Sequence, residues 1–247
     1  MLKIIKLILT NLRMVLFPQY CLVCKRHLTA NEEHICAACT INIPLTNYQA
    51  KPGNPVERIF WTKIPICKAN AYMHYKPNTR YAEIVKALKY HNNTRIGIYI
   101  GRTMAKELSN TDFFNDIDYI VPVPLAKKRE RKRGYNQAKY VALGVSQITN
   151  IPIVENHIRR IKNNPSQTTI QTHQRQQNVK NIFALTASAN NQHQLCGKHI
   201  LIIDDVLTTG STILACAETL AEIPKLKISI LCVAIAGHHG KGVPSEN

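Results

Sequence analysis

Residues 199–213 read HILIIDDVLTTGSTI: an aliphatic run, two adjacent aspartates, then threonine, glycine and serine ahead of a helical pattern. An unbroken apolar run suits a strand buried on both faces of a parallel sheet. In such sheets ligands gather at the carboxyl ends of the strands, and Asp204 and Asp205 stand at that end. Beyond them Val206 and Leu207 lead into Thr208, Thr209, Gly210, Ser211 and Thr212. Gly210 allows close backbone approach, the hydroxyls add donors, and the N–H groups of the turn and helix start can cradle a dianionic phosphate. The two carboxylates are then placed to accept hydrogen bonds from sugar hydroxyls. The combination describes a 5-phosphoribosyl group. It is not a Walker loop, because no Gly-Lys-Thr follows the turn. A strand that merely ends in a helix-capping aspartate would need only one.

A second constellation is made of cysteines. Cys21 and Cys24 form one C-x-x-C knuckle, Cys36 and Cys39 another, with eleven residues between them. Two knuckles complete a tetrahedral, closed zinc site, and residues 18–45 are too few to fold on apolar burial alone. Two disulfides or a redox pair are the rival readings, disfavoured because no secretory signal is legible. Four thiolates leave His27 and His34 as surface residues rather than ligands. Cys67, Cys196, Cys216 and Cys232 sit in apolar contexts and read as core.

The third feature is charge. Lys and Arg number 32 against 15 Asp and Glu, a net charge of +17 with a sequence pI near 9.7. Such a balance expects a polyanion, nucleic acid or an anionic membrane surface. General basicity of the source proteome is the plainer alternative, but the charge is clustered: from Leu125 to Lys180 there are twelve Lys and Arg and two Glu. Lys127, Lys128, Arg129, Arg131, Lys132 and Arg133 form its densest part, interrupted by Glu130. This cluster is expected to contact pyrophosphate or a nucleic-acid backbone, with Arg129 and Arg133 foremost. A solvated charged face is the alternative.

The elements that must position these groups alternate between strand and helix. Residues 68–75 read as a strand and 79–92 as a helix with Ile84, Val85 and Leu88 on its apolar face. Residues 118–124 read as a buried strand, 134–148 as a helix, 198–205 as a strand, 211–221 as a helix and 227–236 as a last strand. That order predicts a doubly wound parallel α/β sheet. Residues 46–66, rich in Pro and Asn, read as a linker, and 163–181 as a polar loop or short helix. Residues 1–17 read as an amphipathic helix, with Lys3, Lys6, Thr10 and Arg13 on one stripe. They are too short and too polar to span a bilayer. The expected division is 1–17 helix, 18–45 zinc module, 46–66 linker, 67–237 α/β domain and 238–247 tail. The expected location is cytoplasmic, with a peripheral position at the inner membrane as the alternative.

Taken together, CLVC…CAAC, KALKYH (86–91), VPVPLAKKRERKRGYNQA (121–138), residues 159–183 and DDVLTTGST resemble the ComF family. These are competence-associated, zinc-ribbon proteins of the type I phosphoribosyltransferase superfamily, and the likeness covers nearly the whole chain in order. Departures are Tyr135 for the usual Phe, Ser211 for a common Ala, and Ala126 at a position often His. The resemblance implies that Asp204 and Asp205 bind the ribose hydroxyls of phosphoribosyl pyrophosphate (PRPP), with Mg2+ accompanying the ligand. It implies that Val123, Pro124 and Leu125 form a pyrophosphate loop. It also implies a lid from the segment holding Gln167, Arg175 and Asn178. Thr208 stands where purine-salvage members carry an aspartate, which argues against simple purine salvage.

Three functions follow. The expected one is a PRPP-binding competence protein that binds single-stranded DNA beside a helicase and an uptake channel. The alternatives are an active phosphoribosyltransferase of unknown acceptor and a PRPP-sensing regulator. His91 and His173 are isolated candidates for a proton acceptor, so catalysis stays open. Tyr72, Tyr75, Tyr81, Tyr90, Tyr99 and Tyr135 are candidate stacking platforms for single strands.

Overall fold

Alternating burial sets the architecture. Along β5 (His199–Leu207), Leu201 and Ile203 enter one apolar cluster while Ile200 and Ile202 enter another, as a strand covered on both faces requires. The computed structural model describes residues 18–48, 51–90, 93–161, 182–186 and 194–237. In it a four-stranded sheet runs β1 (Ala69–Tyr75), β6 (Lys227–Ala236), β5, β2 (Tyr119–Pro122), every pairing parallel. A separate antiparallel pair joins β3 (Ile158–Arg160) to β4 (Phe183–Leu185).

One face is covered by α3 (Ala82–Lys89), α4 (Thr94–Leu108) and α6 (Gln137–Thr149). The other carries α2 (Pro55–Arg58), α7 (Ser211–Leu220) and the β3–β4 pair. The cysteine module, with its short helix α1 (Ala37–Ile41), packs on the first face. Val23, Leu28, Ile35 and Ile43 share a single apolar cluster with Met73, Ile84 and Leu88. Arg102 Nη2 pairs with Glu33 Oε2 at 2.7 Å, and the Tyr81 hydroxyl donates to the Cys39 carbonyl at 3.3 Å.

Three sequence expectations change here. The helix expected over 79–92 ends at Lys89, and a second, fifteen-residue helix, α4, follows it. Its apolar stripe of Ile96, Ile100, Met104 and Leu108 was obscured by Gly97 and Gly101, residues that ordinarily weaken helices. Here they let α4 lie against α6: a Cβ on Gly101 would stand 2.1 Å from the Val141 carbonyl oxygen, and one on Gly144 2.2 Å from that of Ile98. The stretch read as a linker is packed, with Val56 and Phe60 fully buried, a burial of about 1.5–3 kcal/mol for each large side chain. Cys67 and Cys196 are exposed rather than core, because one lies just before β1 and the other in the turn before β5; Cys216 and Cys232 are buried. The basic run 127–133 is a short helix, α5 (Lys127–Arg133), that buries none of its side chains.

No helix among the described residues is long and apolar enough to cross a membrane. The expected N-terminal helix, the lid residues Gln167, Arg175 and Asn178, the histidines His91 and His173, and the tail lie outside the described residues.

Candidate functional site

The two aspartates sit at the carboxyl end of β5, each held by the backbone behind it. Asp204 Oδ1 accepts the Asp205 N–H at 2.8 Å, and Asp205 Oδ1 accepts the Val206 N–H at 2.7 Å. That leaves the Oδ2 of each for other partners. Asp205 Oδ2 lies 3.6 Å from Lys89 Nζ at the end of α3, with 15% and 27% of the two side chains exposed. Burial, reinforced by the neighbouring Asp205 charge, pushes the Asp204 carboxyl up to about 7. Lys89 and Arg160 offset part of that rise. Cys216 and Cys232 flank Asp204, and burial pushes both thiols up, so they act as inert walls.

Beyond Leu207 the chain turns through Gly210 in the left-handed region (φ 76°), which caps α7 without a side chain. The N–H groups of the first helical turn therefore have no side-chain cap. Thr209 Oγ1 and Ser211 Oγ lie 2.7 Å apart, and Thr208 and Thr209 are exposed. Donors, hydroxyls and a helix dipole converge here, a cradle for a doubly charged phosphate.

The turn is buttressed by the segment read as a linker. A Cβ at Gly210 would meet Ile59 Cγ2 at 2.7 Å and the Phe60 ring at 3.4 Å. Gly210→Ala is expected to cost about 1–2 kcal/mol for the left-handed backbone alone, plus the clash with Ile59. Thermal unfolding will check it: adding Ile59→Ala should recover the clash but not the backbone part.

β2 delivers the basic helix to the same end of the sheet. The Val123 N–H donates to the Ile203 carbonyl at 2.9 Å, and Asn136 Nδ2 donates to the Val123 carbonyl at 3.0 Å. The Val123 N–H is thus spent on the sheet, and Pro124 has none. Leu125 keeps the one backbone N–H in residues 123–125 not already used there. Arg133 Nη1 donates to Gln137 Oε1 at 2.7 Å, while Lys127, Lys128, Arg129, Arg131 and Lys132 are exposed.

Two residues close to the acidic pair carry no functional signal in the sequence. Lys89 touches Asp205, and Arg160, on β3, feels both Asp204 and Arg129 while its guanidinium lies 5.5 Å from the Phe183 ring centre. Burial lowers the Arg160 pKa. No local pattern marks either residue; each depends on which element the fold sets beside β5. Of the six tyrosines considered for stacking, Tyr72, Tyr81 and Tyr135 are buried, Tyr75 and Tyr99 are partly buried, and Tyr90 is exposed.

The four module cysteines converge separately, on the face of the sheet that α3 covers. Their Sγ atoms lie within 4.8 Å of one another. Cys24 Sγ and Cys36 Sγ are 3.7 Å apart, close to the edge of about 3.8 Å that a tetrahedron of 2.3 Å zinc–sulfur bonds would have. The Cys36 and Cys39 N–H groups donate to sulfur at 3.4 Å. The donor set fits a zinc ribbon. Glu32 clamps the module by accepting from Thr29 N–H, Ala37 N–H and Arg26, and those backbone bonds hold its carboxyl down at about 2. His27 is exposed, its ring tilted against Tyr20 with centroids 4.4 Å apart. His34, expected at the surface, is half-buried against Tyr99.

The phosphoribosyl transferase domain family matches residues 87–247. Competence protein F of Haemophilus influenzae is 30% identical over 160 residues, 62% of this chain and 67% of that one. DNA utilization protein YhgH of Escherichia coli K12 is 24% identical over 216 residues, 86% of this chain and 88% of that one. Among solved structures, glutamine PRPP amidotransferase from B. subtilis, complexed with ADP and GMP, overlaps 60% of this chain and 30% of its own at a TM-score of 0.41 and 14% identity.

Proposed function

The chain belongs to the ComF family of proteins built on a phosphoribosyl transferase domain, and from that premise we propose that it binds PRPP and serves natural competence by holding single-stranded DNA. One observation carries the ligand: two aspartates pinned by their own backbone at the end of β5, next to the uncapped start of α7. On this reading Asp204 and Asp205 accept the ribose hydroxyls. The turn from Thr208 to Thr212 holds the 5′-phosphate. Lys89, Arg160, Arg129 and the Leu125 N–H face the pyrophosphate. The hard oxygens of the aspartates suit Mg2+, which would supply charge neutralisation to a pyrophosphate. Cys21, Cys24, Cys36 and Cys39 would hold a structural zinc.

The competence role is supported by the names of the relatives, and the nucleic acid by a net charge of +17 with an exposed basic helix. The helicase and uptake channel of the competence machinery, at the inner membrane face, would then be its working partners. Calorimetric titration of zinc-loaded protein with PRPP and Mg2+, then with single-stranded DNA, tests both halves. Saturable binding of each is expected. Pyrophosphate release in the same samples would make the protein a transferase, and absence of PRPP binding would remove the ligand reading.

Replacing Arg129, Arg131 and Arg133 together with Ala is expected to weaken DNA binding and to flatten its dependence on salt. Three lost phosphate contacts on a single strand reduce the slope of log K against log salt by about 2. An unchanged slope would place the DNA contact elsewhere.

A further inference from the structure

The chain has one tryptophan, and it is not in the core: Trp61 is 58% exposed. It projects from the segment that buttresses the phosphate turn, one residue after Phe60, whose ring packs beneath Gly210. That segment is tightly held. Asn54, itself buried, accepts the Val56 and Glu57 N–H groups and donates to the Ala69 carbonyl at 2.9 Å. Glu57 accepts the Gly53 N–H at 2.6 Å, and Arg58 Nε donates to the Gly53 carbonyl at 2.8 Å. The Trp61 ring rests against Gly53, with the Arg58 guanidinium 5.7 Å from its centre. An indole fixed from behind and open to solvent has already lost the conformational freedom that binding would otherwise cost.

Its surroundings choose the partner. Arg58 beside the ring and Lys51 and Lys63 in the same segment are exposed, and Glu57, the one acid of residues 51–67, is committed to backbone N–H groups. The neighbouring Ile64 and Phe60 are buried, so among the described residues of this segment no exposed apolar band accompanies the ring as a membrane-inserting surface would require. Tyr90 is likewise 56% exposed, and it follows Lys89, which pairs with Asp205.

We propose that Trp61, with Tyr90 as a second point, is a stacking platform on which bases of single-stranded nucleic acid lie beside the phosphoribosyl site, their phosphates met by Lys51, Arg58 and Lys63. This rests on the single-strand reading above and assigns it a surface apart from α5. A neutral aromatic contributes affinity by stacking and leaves the count of neutralised phosphates unchanged.

The lone tryptophan makes the test direct. Titrating the full-length, zinc-loaded protein with oligo-dT should quench Trp61 emission saturably, whereas an abasic oligomer of equal length should not. By anisotropy of a labelled oligo-dT, Trp61→Ala should weaken binding about tenfold, the weight of one stack at about 1.4 kcal/mol, with an unchanged salt slope. Trp61→Phe should recover part of the loss. Binding by anisotropy with unaltered emission and an unaffected Trp61→Ala variant would overturn the platform while sparing the single-strand reading. No oligonucleotide binding by either method would overturn both. A blue shift with anionic phosphatidylglycerol vesicles, but no response to oligo-dT, would assign the ring to a membrane instead.

Discussion

Cys36→Ser is expected to abolish zinc binding by the cysteine module and to lower Tm by more than about 10 °C. Structural zinc in small modules contributes on the order of 10 kcal/mol of binding free energy, comparable with the whole stability of a domain. In a chain of this size each kcal/mol is about 2–4 °C. The loss cannot remain local, because Val23, Leu28, Ile35 and Ile43 of the module belong to the same apolar cluster as Met73, Ile84 and Leu88 of the α/β domain. Metal analysis and thermal unfolding of the variant, beside Cys67→Ser as an exposed control outside the cluster, will decide it. A zinc-free variant melting with the parent would remove the structural metal.

Asp204→Asn with Asp205→Asn should reduce PRPP affinity by more than about 100-fold, since each carboxylate–hydroxyl bond to a charged acceptor is worth about 1.5–3 kcal/mol. Retained affinity would sink the assignment. The stability effect runs the other way. The Asp204 carboxyl rises from the ordinary 3.8 to about 7 through burial and the adjacent Asp205 charge, so between those values the folded chain holds a proton that the unfolded chain has released. Stability therefore falls as pH rises from about 4 to about 7, and ionised Asp204 is a burden above that. Asp204→Asn alone should leave stability at pH 4 nearly unchanged and raise it at pH 8 by about 1–2 kcal/mol, less than the full shift implies because solvent and Lys89 share the load. Melting curves of both proteins across that range will show whether the gap opens with pH. A variant at once more stable and unable to bind is the signature of a group retained for a ligand.

The sequence made some of this legible and hid the rest for physical reasons. β5, its aspartates and the turn are visible because folding alone does not call for paired acids and a glycine at the end of a fully apolar strand. The cysteine quartet is equally local. α4 was hidden because its glycines serve a neighbouring helix rather than their own. The buttress at Ile59 and Phe60 was hidden because Pro and Asn, which read as a linker, here start and cap a short helix: Pro55 opens α2 and Asn54 caps it. Lys89 and Arg160 gain meaning only from long-range placement. Trp61, next to the buried Phe60, carries no periodic signal that marks it as the exposed ring of the pair.

The glycine contact between α4 and α6 also limits how the molecule can respond to a ligand. Packed helices slide past each other by letting side chains change rotamer between them. At Gly101 and Gly144 no such layer exists, and backbone meets backbone at distances that would not admit a methyl group. Shear along that interface is therefore closed, and the helical wall behind the site behaves as a fixed anvil. Among the described helices α5 alone buries none of its residues, and it ends on left-handed Gly134 (φ 79°). It is then the one described helix free to adjust about an anionic ligand without disturbing a buried side chain.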